Sequence, residues 1–311
     1  MTMIMVRYGE LGLKSPKVRK RFEKLLMDDI ERRLIEDSLS FIAENERGRI
    51  FYEVDDEKPA VELMRKVPGI HSISPVTPCS SEWGELIRCL EEVGRETIGK
   101  DMTYGLKVRR ASDKKYSSQQ VAVEGGSAVV SHLEEGDARV DLRNPDIWIE
   151  VEIRGSMAYI FSERIQGLGG MPYSSQGKAI LFLPAFEGNN SQDDLTLRGA
   201  LSYLLMERRG TRVIPCTIKG FENVWKKSLE DVGLSLSKRP YILDEGKLRR
   251  SLLDACKILS VNVVVAPMGI DSMKGFPVLH DEGEPVACLF PTASMGHGDL
   301  VSWVERLMVG T

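Results

Sequence analysis

Tyr159-Ile-Phe-Ser-Glu-Arg-Ile-Gln-Gly-Leu-Gly-Gly-Met-Pro-Tyr-Ser-Ser-Gln-Gly-Lys-Ala-Ile-Leu-Phe-Leu183 closes one β-rich region and opens another. Its first part is β-branched and aromatic, Gly167 to Gly170 read as a linker, and Ala179 to Leu183 form an apolar strand. In a nucleotide-binding α/β domain, a short Gly/Ser loop would follow, its backbone N–H groups facing a phosphate at a helix N-terminus. Here the following residues are Pro184-Ala-Phe-Glu-Gly-Asn-Asn-Ser-Gln-Asp-Asp194. With Glu187, Asp193 and Asp194 and no lysine, that loop repels a triphosphate more readily than it cradles one.

Three further stretches carry a family resemblance. Met5-Val-Arg-Tyr-Gly-Glu-Leu-Gly-Leu-Lys14, Tyr104-Gly-Leu-Lys-Val-Arg-Arg110 with Tyr116-Ser-Ser-Gln119, and Tyr159 to Lys178 occur in an order and spacing that resemble the tRNA 4-thiouridine synthetase (ThiI) family. The resemblance spans residues 4 to 183 and fades to domain-level similarity beyond. It implies an N-terminal ferredoxin-like domain and a THUMP domain that hold tRNA. It also implies a PP-loop domain in which a Ser-Gly-Gly-x-Asp-Ser motif adenylates the uridine. This chain has Pro184-Ala-Phe-Glu where that motif belongs, and no counterpart of the family's catalytic cysteine or rhodanese extension is found. A member lacking the PP-loop motif and the rhodanese domain is therefore expected.

The pattern of elements supports the same organisation. A strand at Met3–Tyr8, a helix opened by Pro16, a strand at Arg49–Val54, a helix at Lys58–Lys66 and a strand at Ile70–Val76 predict a small ferredoxin-like α+β unit over residues 1–77. Residues 78–170 read as α-β-α-β-β, the pattern the resemblance assigns to THUMP. In residues 171–311 the strands Ala179–Leu183, Val213–Ile218, Tyr241–Leu243 and Val261–Ala266 alternate with helices at 195–209, 222–232 and 247–259. Apolar strands spaced by helices predict a doubly wound, Rossmann-like parallel sheet with a degenerate PP-loop.

Composition narrows the class. The 311 residues are 42% hydrophobic and 28% charged, an ordinary globular balance. No apolar run approaches the roughly 20 residues a membrane helix needs, and the N-terminus lacks a signal peptide's layout, so cytoplasmic residence is expected. The 5 cysteines form no C-x-x-C pair, and His71, His132, His280 and His297 share no ligand spacing, so no metal is expected.

A net charge of −4 means that any nucleic acid must be held by local patches. Lys107, Arg109, Arg110, Lys114 and Lys115 form one basic island, followed by Tyr116 and a helix capped by Ser117 or Ser118 with Gln119 in its first turn. Lys14, Lys17, Arg19, Lys20, Arg21 and Lys24 form the other, with Arg7 close by. Cations and a helix N-terminus are the usual anchors for RNA phosphates, and an aromatic ring can stack on an unpaired end. The candidate RNA-binding residues are thus Arg7, Lys14, Lys107, Arg109, Arg110, Lys114, Lys115, Tyr116 and Gln119. Gly269-Ile-Asp271-Ser272 copies the second half of a PP-loop and marks a weaker nucleotide candidate at Gly269, Asp271 and Ser272.

The sequence thus points first to a protein that binds the tRNA acceptor end without cofactor or catalytic residue of its own, and presents it to a separate modification or sulfur-transfer enzyme. Residues 1–176, which contain both islands, are expected to carry the binding. The alternative is a tRNA-thiolating or other tRNA-modifying enzyme that uses ATP at a site rebuilt around loops 184–194 and 268–275. A homodimer stays open under both readings.

Overall fold

A computed structural model describes residues 1–9, 14–46, 48–111, 116–134, 136–185, 192–231, 239–277, 279 and 286–309. They form two compact units. The first comprises Met1–Arg7, Arg33–Met64 and Ser72–Ile165, the second Tyr8–Arg32, Arg65–His71 and Gln166–Thr311. The units interleave along the chain, whereas the sequence segments 1–77, 78–170 and 171–311 are contiguous.

The elements begin with β1 (Thr2–Tyr8), α1 (Pro16–Glu36), β2 (Phe41–Glu46), β3 (Arg49–Val54), α2 (Glu57–Met64) and β4 (Ile70–Ser80). This is the βαββαβ order of a ferredoxin-like domain, and its strands lie in the sheet as β2-β3-β1-β4. In α1, Phe22, Leu26, Ile30 and Leu34 are buried at four-residue spacing, which puts them on one helical face. The sequence reading omitted β2. It is an edge strand, antiparallel to β3, and none of its residues is fully buried: Phe41, Ala43 and Glu46 are half-buried and the rest exposed.

Next come α3 (Trp83–Thr97), β5 (Thr103–Arg110), α4 (Ser118–Ala128), β6 (Arg139–Val140), β7 (Ile147–Arg154), β8 (Met157–Phe161) and β9 (Ile165–Gln166). The sheet continues from β4 through β8-β7-β5-β6, with β9 off that path beside β4. Tyr104 and Leu106 from β5, Ile149, Val151 and Ile153 from β7 and Ala158 and Ile160 from β8 form one apolar face. It packs with Leu86, Leu90 and Val93 of α3 and Val121 of α4.

The two helices meet most tightly at Gly94. A methyl group there would lie 2.0 Å from the Val129 carbonyl oxygen and 2.5 Å from its Cα, backbone atoms that cannot rotate away. Gly94→Ala should therefore destabilise the protein by about 1–3 kcal/mol, the usual cost of overpacking. An unchanged urea midpoint would show that the crossing has slack.

The second unit contains β10 (Lys178–Leu183), α5 (Gln192–Arg208), β11 (Arg212–Ile218), α6 (Glu222–Asp231), β12 (Tyr241–Leu243), α7 (Leu248–Leu259), β13 (Val263–Val265), β14 (Ala287–Leu289) and α8 (His297–Val309). Its five-stranded sheet has the order β12-β11-β10-β13-β14, every pair parallel. Ala179, Leu181 and Leu183 face a core with α5, α6 and α8, while Ile180 and Phe182 face one with α7. Burial on both faces explains why β10 is apolar without alternation. The sequence reading missed β14 and α8, and it placed Asp193 and Asp194 in a loop. They occupy the first turn of α5, where carboxylates complement the helix dipole.

Candidate nucleic-acid interface

Strand alternation sorts the first basic island. In β5, Tyr104 and Leu106 are buried toward the helices, so Lys107 and Arg109 project from the opposite face, and both are exposed. In the parallel register, Lys107 pairs with Glu150 and Arg109 with Glu152 of β7. The Lys107 ammonium sits 3.4 Å from the centroid of the Trp148 ring, and Arg164 donates to Glu150 at 2.6 Å. The sequence reading missed Trp148, Glu150 and Arg164. The alternation Ile147-Trp-Ile-Glu-Val-Glu-Ile153 already put the Trp and both Glu residues on one strand face.

At the end of β5, exposed Arg110 donates to the Tyr116 carbonyl oxygen. Ser117 then caps α4 with a capping box: its hydroxyl accepts from Gln120 N at 3.0 Å and its N–H donates to Gln120 Oε1 at 2.7 Å. The first turn of α4 carries no acid, and Gln119 is exposed there, which leaves this helix N-terminus hospitable to an anion. Lys114 and Lys115, like Glu187 in the acidic loop, lie outside the described residues.

Two expected contacts are corrected. Tyr116 is no free stacking platform. Its ring packs on Trp83 at a 5.1 Å centroid distance, and its hydroxyl donates to the Ser81 carbonyl. Burial pushes this phenol's pKa up. Arg7 is only 4% exposed and cannot offer its charge to a phosphate. Its Nη1 donates to Ser74 Oγ at 2.9 Å, its guanidinium lies 4.5 Å from the Phe161 ring centroid, and its Nε is 4.0 Å from Glu152. Burial first, then neighbouring Arg164, lowers its pKa to about 10 against the pull of Glu152. Lys14, by contrast, is exposed and belongs to the second unit.

The weaker nucleotide candidates lie in the second unit. The loops after β10 and β13 leave adjacent parallel strands at their carboxyl ends, the switch point where open α/β sheets usually bind ligands. Asp271 and Ser272 are exposed there, and Ser272–Gly275 form only a short 3-10 turn. Gly269 is half-buried, the site of its missing Cβ 3.6 Å from the Arg198 guanidinium carbon. Arg198 is held by Asp194 at 2.7 Å, by the Met295 carbonyl at 2.7 Å and by the Thr292 carbonyl. Trp225 Nε1 donates to the Pro184 carbonyl at 2.8 Å and Thr217 Oγ1 to that of Leu183 at 2.8 Å, which fixes the turn out of β10.

Cys216 is fully buried among apolar residues, and burial pushes its thiol up to about 12, the setting of an inert core residue. Among the described residues, no group of three or more His, Cys, Asp or Glu is placed to hold a metal ion. No described helix is long and apolar enough to cross a membrane.

Comparison with known proteins agrees with this layout. The ThiI ferredoxin-like domain model matches residues 3–74 and the THUMP domain model residues 83–163. A probable tRNA sulfurtransferase of Methanobrevibacter smithii is 33% identical over 217 residues, covering 68% of this chain and 52% of the relative. One from Methanosarcina mazei is 30% identical over 267 residues, 82% of this chain and 63% of the relative. The chain spans about half the length of the first curated relatives it matches.

Among solved structures, PH1313 from Pyrococcus horikoshii is 25% identical with a TM-score of 0.78 over 99% of both chains. A 4-thiouridine synthetase solved in complex with RNA and ATP shares the fold, with a TM-score of 0.70 at 19% identity over 100% of this chain and 87% of that one. Residues 3–163 therefore carry the ThiI-like pairing of a ferredoxin-like domain with a THUMP domain.

Proposed function

We propose that this chain binds the acceptor end of tRNA through its ferredoxin-like and THUMP domains and serves a ThiI-type tRNA modification, 4-thiouridine formation by resemblance, without adenylating the tRNA itself. The domain pair matched over residues 3–163 carries the reading. The exposed cations Lys107, Arg109 and Arg110 beside the capped N-terminus of α4 support it, as do relatives named tRNA sulfurtransferases. A separate sulfur-transfer or modifying enzyme would then act on the presented tRNA.

The turn out of β10 supports the absence of adenylation. Pro184 has no N–H to offer, and its carbonyl is already bonded to Trp225, whereas a phosphate cradle needs successive free amides. Calorimetry with ATP and an assay for pyrophosphate release in the presence of tRNA should both be blank. Filter binding of tRNA to the full chain should weaken steeply with salt, because phosphate contacts release counterions. A salt-independent or absent tRNA complex would overturn the reading.

One observation favours a second reading, an ATP-using tRNA-modifying enzyme with a rebuilt nucleotide site. The first turn of α5, which bears Asp194, and the loop that bears Gly269 follow adjacent strands at the switch point, where the buried hydroxyls of Thr196 and Thr292 have no hydrogen-bond partner among the described residues. ATP binding that is lost in Asp271→Ala or Ser272→Ala would put this reading first.

A further inference from the structure

We propose that a cavity beside Trp303, within the second unit, binds the phosphodiester backbone of an RNA strand and so extends the tRNA contact beyond the THUMP domain to residues that follow it in the chain, with Lys14 of the ferredoxin-like segment in its lining. The proposal rests on the tRNA-binding reading. The cavity, about 600 Å³, has Lys14, Gly170, Gln176, Arg208, Arg209 and Trp303 in its lining, and no carboxylate among the described residues that line it.

Its position separates it from the candidate nucleotide loops. Because α5 runs back antiparallel to β10, its last residue Arg208, and Arg209 just beyond it, lie at the amino-terminal ends of the strands. Gln176 lies two residues before β10 at that same end, whereas the loops after β10 and β13 leave the opposite one.

Cations in the last turn of a helix often serve its own free carbonyls. Here the backbone has already done so. Arg209 N bonds the Leu205 and Met206 carbonyls, Thr211 N bonds Met206, Gly210 N bonds Glu207 at 2.7 Å, and Met171 N bonds Arg208 at 2.9 Å. Gly170 makes the last of these bonds possible. With φ at +78° and the site of its missing Cβ 2.0 Å from the Arg208 oxygen, only glycine lets the linker lie against the helix end. Among the described residues, no ion pair or side-chain hydrogen bond engages Lys14, Arg208 or Arg209. Their charges outweigh the roughly half negative charge of the helix end.

Lys14 and Arg209 are exposed, while Arg208 and Trp303 are half-buried. Rim cations around an accessible indole suit a polyanion that passes across the surface with a base against the ring. A free nucleotide would instead need an enclosed base pocket. Trp303 also carries Arg306 at 5.1 Å from its ring, which strengthens the local positive field.

The test uses the full-length chain and labelled tRNA titrated at several salt concentrations. The variants are Lys14→Ala/Arg209→Ala, both at exposed positions, and Trp303→Ala, with circular dichroism to confirm folding. The double variant should bind tRNA about tenfold more weakly, with its log–log salt slope reduced by roughly 0.7–0.9 for each phosphate that is no longer neutralised. Lys14→Arg/Arg209→Lys should retain wild-type binding, and AMP or inorganic phosphate should give no calorimetric signal. If the double variant keeps its affinity and slope while Arg109→Ala/Arg110→Ala weakens binding, the cavity is not an RNA site and the tRNA reading survives. If the wild type binds no tRNA, both fall. If AMP binds and Trp303→Ala abolishes it, the occupant is a small nucleotide and the RNA assignment is overturned.

Discussion

Glu152→Ala should cost about 3–5 kcal/mol, the loss expected when one member of a buried ion network is removed and its partners stay behind. Glu152 is 5% exposed. It lies 3.0 Å from Arg49, 2.8 Å from Arg154 and 4.0 Å from Arg7, whose buried Nε and Nη2 have no hydrogen-bond partner among the described residues. The strain on this network is electrostatic, because several cations converge on one carboxylate. Removing Arg49 should therefore be milder than removing Glu152.

The pH dependence has a definite sign. Burial raises the pKa of Glu152, but Arg49, Arg154 and Arg7 together outweigh it, and the net shift is downward. A carboxyl whose folded pKa is depressed contributes its full stability above the unfolded value of about 4.3 and loses it as the pH falls through its folded value. The stability gap between wild type and Glu152→Ala, measured from urea midpoints, should be widest near neutral pH and should close below pH ~4. A gap under ~1 kcal/mol at pH 7, or one that widens in acid, would show that the network is not what holds this sheet face together.

This cluster also marks where sequence reasoning stops. A cation inside Met5-Val-Arg-Tyr8 reads as a surface contact when its strand has no known neighbours. The structure makes β1 an interior strand, between β3 and β4, and supplies Glu152 from 145 positions away. Tyr116 was misread for the same reason, since Trp83 and the Ser81 carbonyl arrive from a different element. Features fixed by local chemistry were legible: the Ser117 cap, the apolar run of β10, and the helix opened by Pro16. Among what was missed, β2 is an edge strand that ends in Glu-Asn-Glu, and β14 is an edge strand of only 3 residues. In α8, however, Leu300, Val304 and Leu307 are buried at helical spacing and stood in plain view. Of the candidate RNA surface, the exposure of Lys107, Arg109 and Arg110 follows from strand alternation and the chain turn. Sequence alone could not reveal that Trp148 lies beneath Lys107.

Replacing Arg109, Arg110, Lys114 and Lys115 together by alanine should weaken tRNA binding by about 100-fold at low salt, or about 2.7 kcal/mol. Arg109 and Arg110 are exposed, and neither makes an ion pair among the described residues, so folding should survive. The structural cost is the bond from Arg110 to the Tyr116 carbonyl, worth about 1 kcal/mol at most on an exposed loop, beyond the ~0.5 kcal/mol usual for surface changes. Lys107 is left in place because its ammonium already sits over Trp148, and its removal would mix packing with charge. The loss should be electrostatic, with the log–log salt slope shrinking by roughly 0.7–0.9 for each phosphate that is no longer neutralised. Splitting the set apportions the effect. Arg109→Ala alone tests the sheet face, and Lys114→Ala/Lys115→Ala tests the segment leading into α4. An unchanged slope in the fourfold variant, with native circular dichroism, would make this island an ordinary solvated loop and would move the RNA surface elsewhere in the chain.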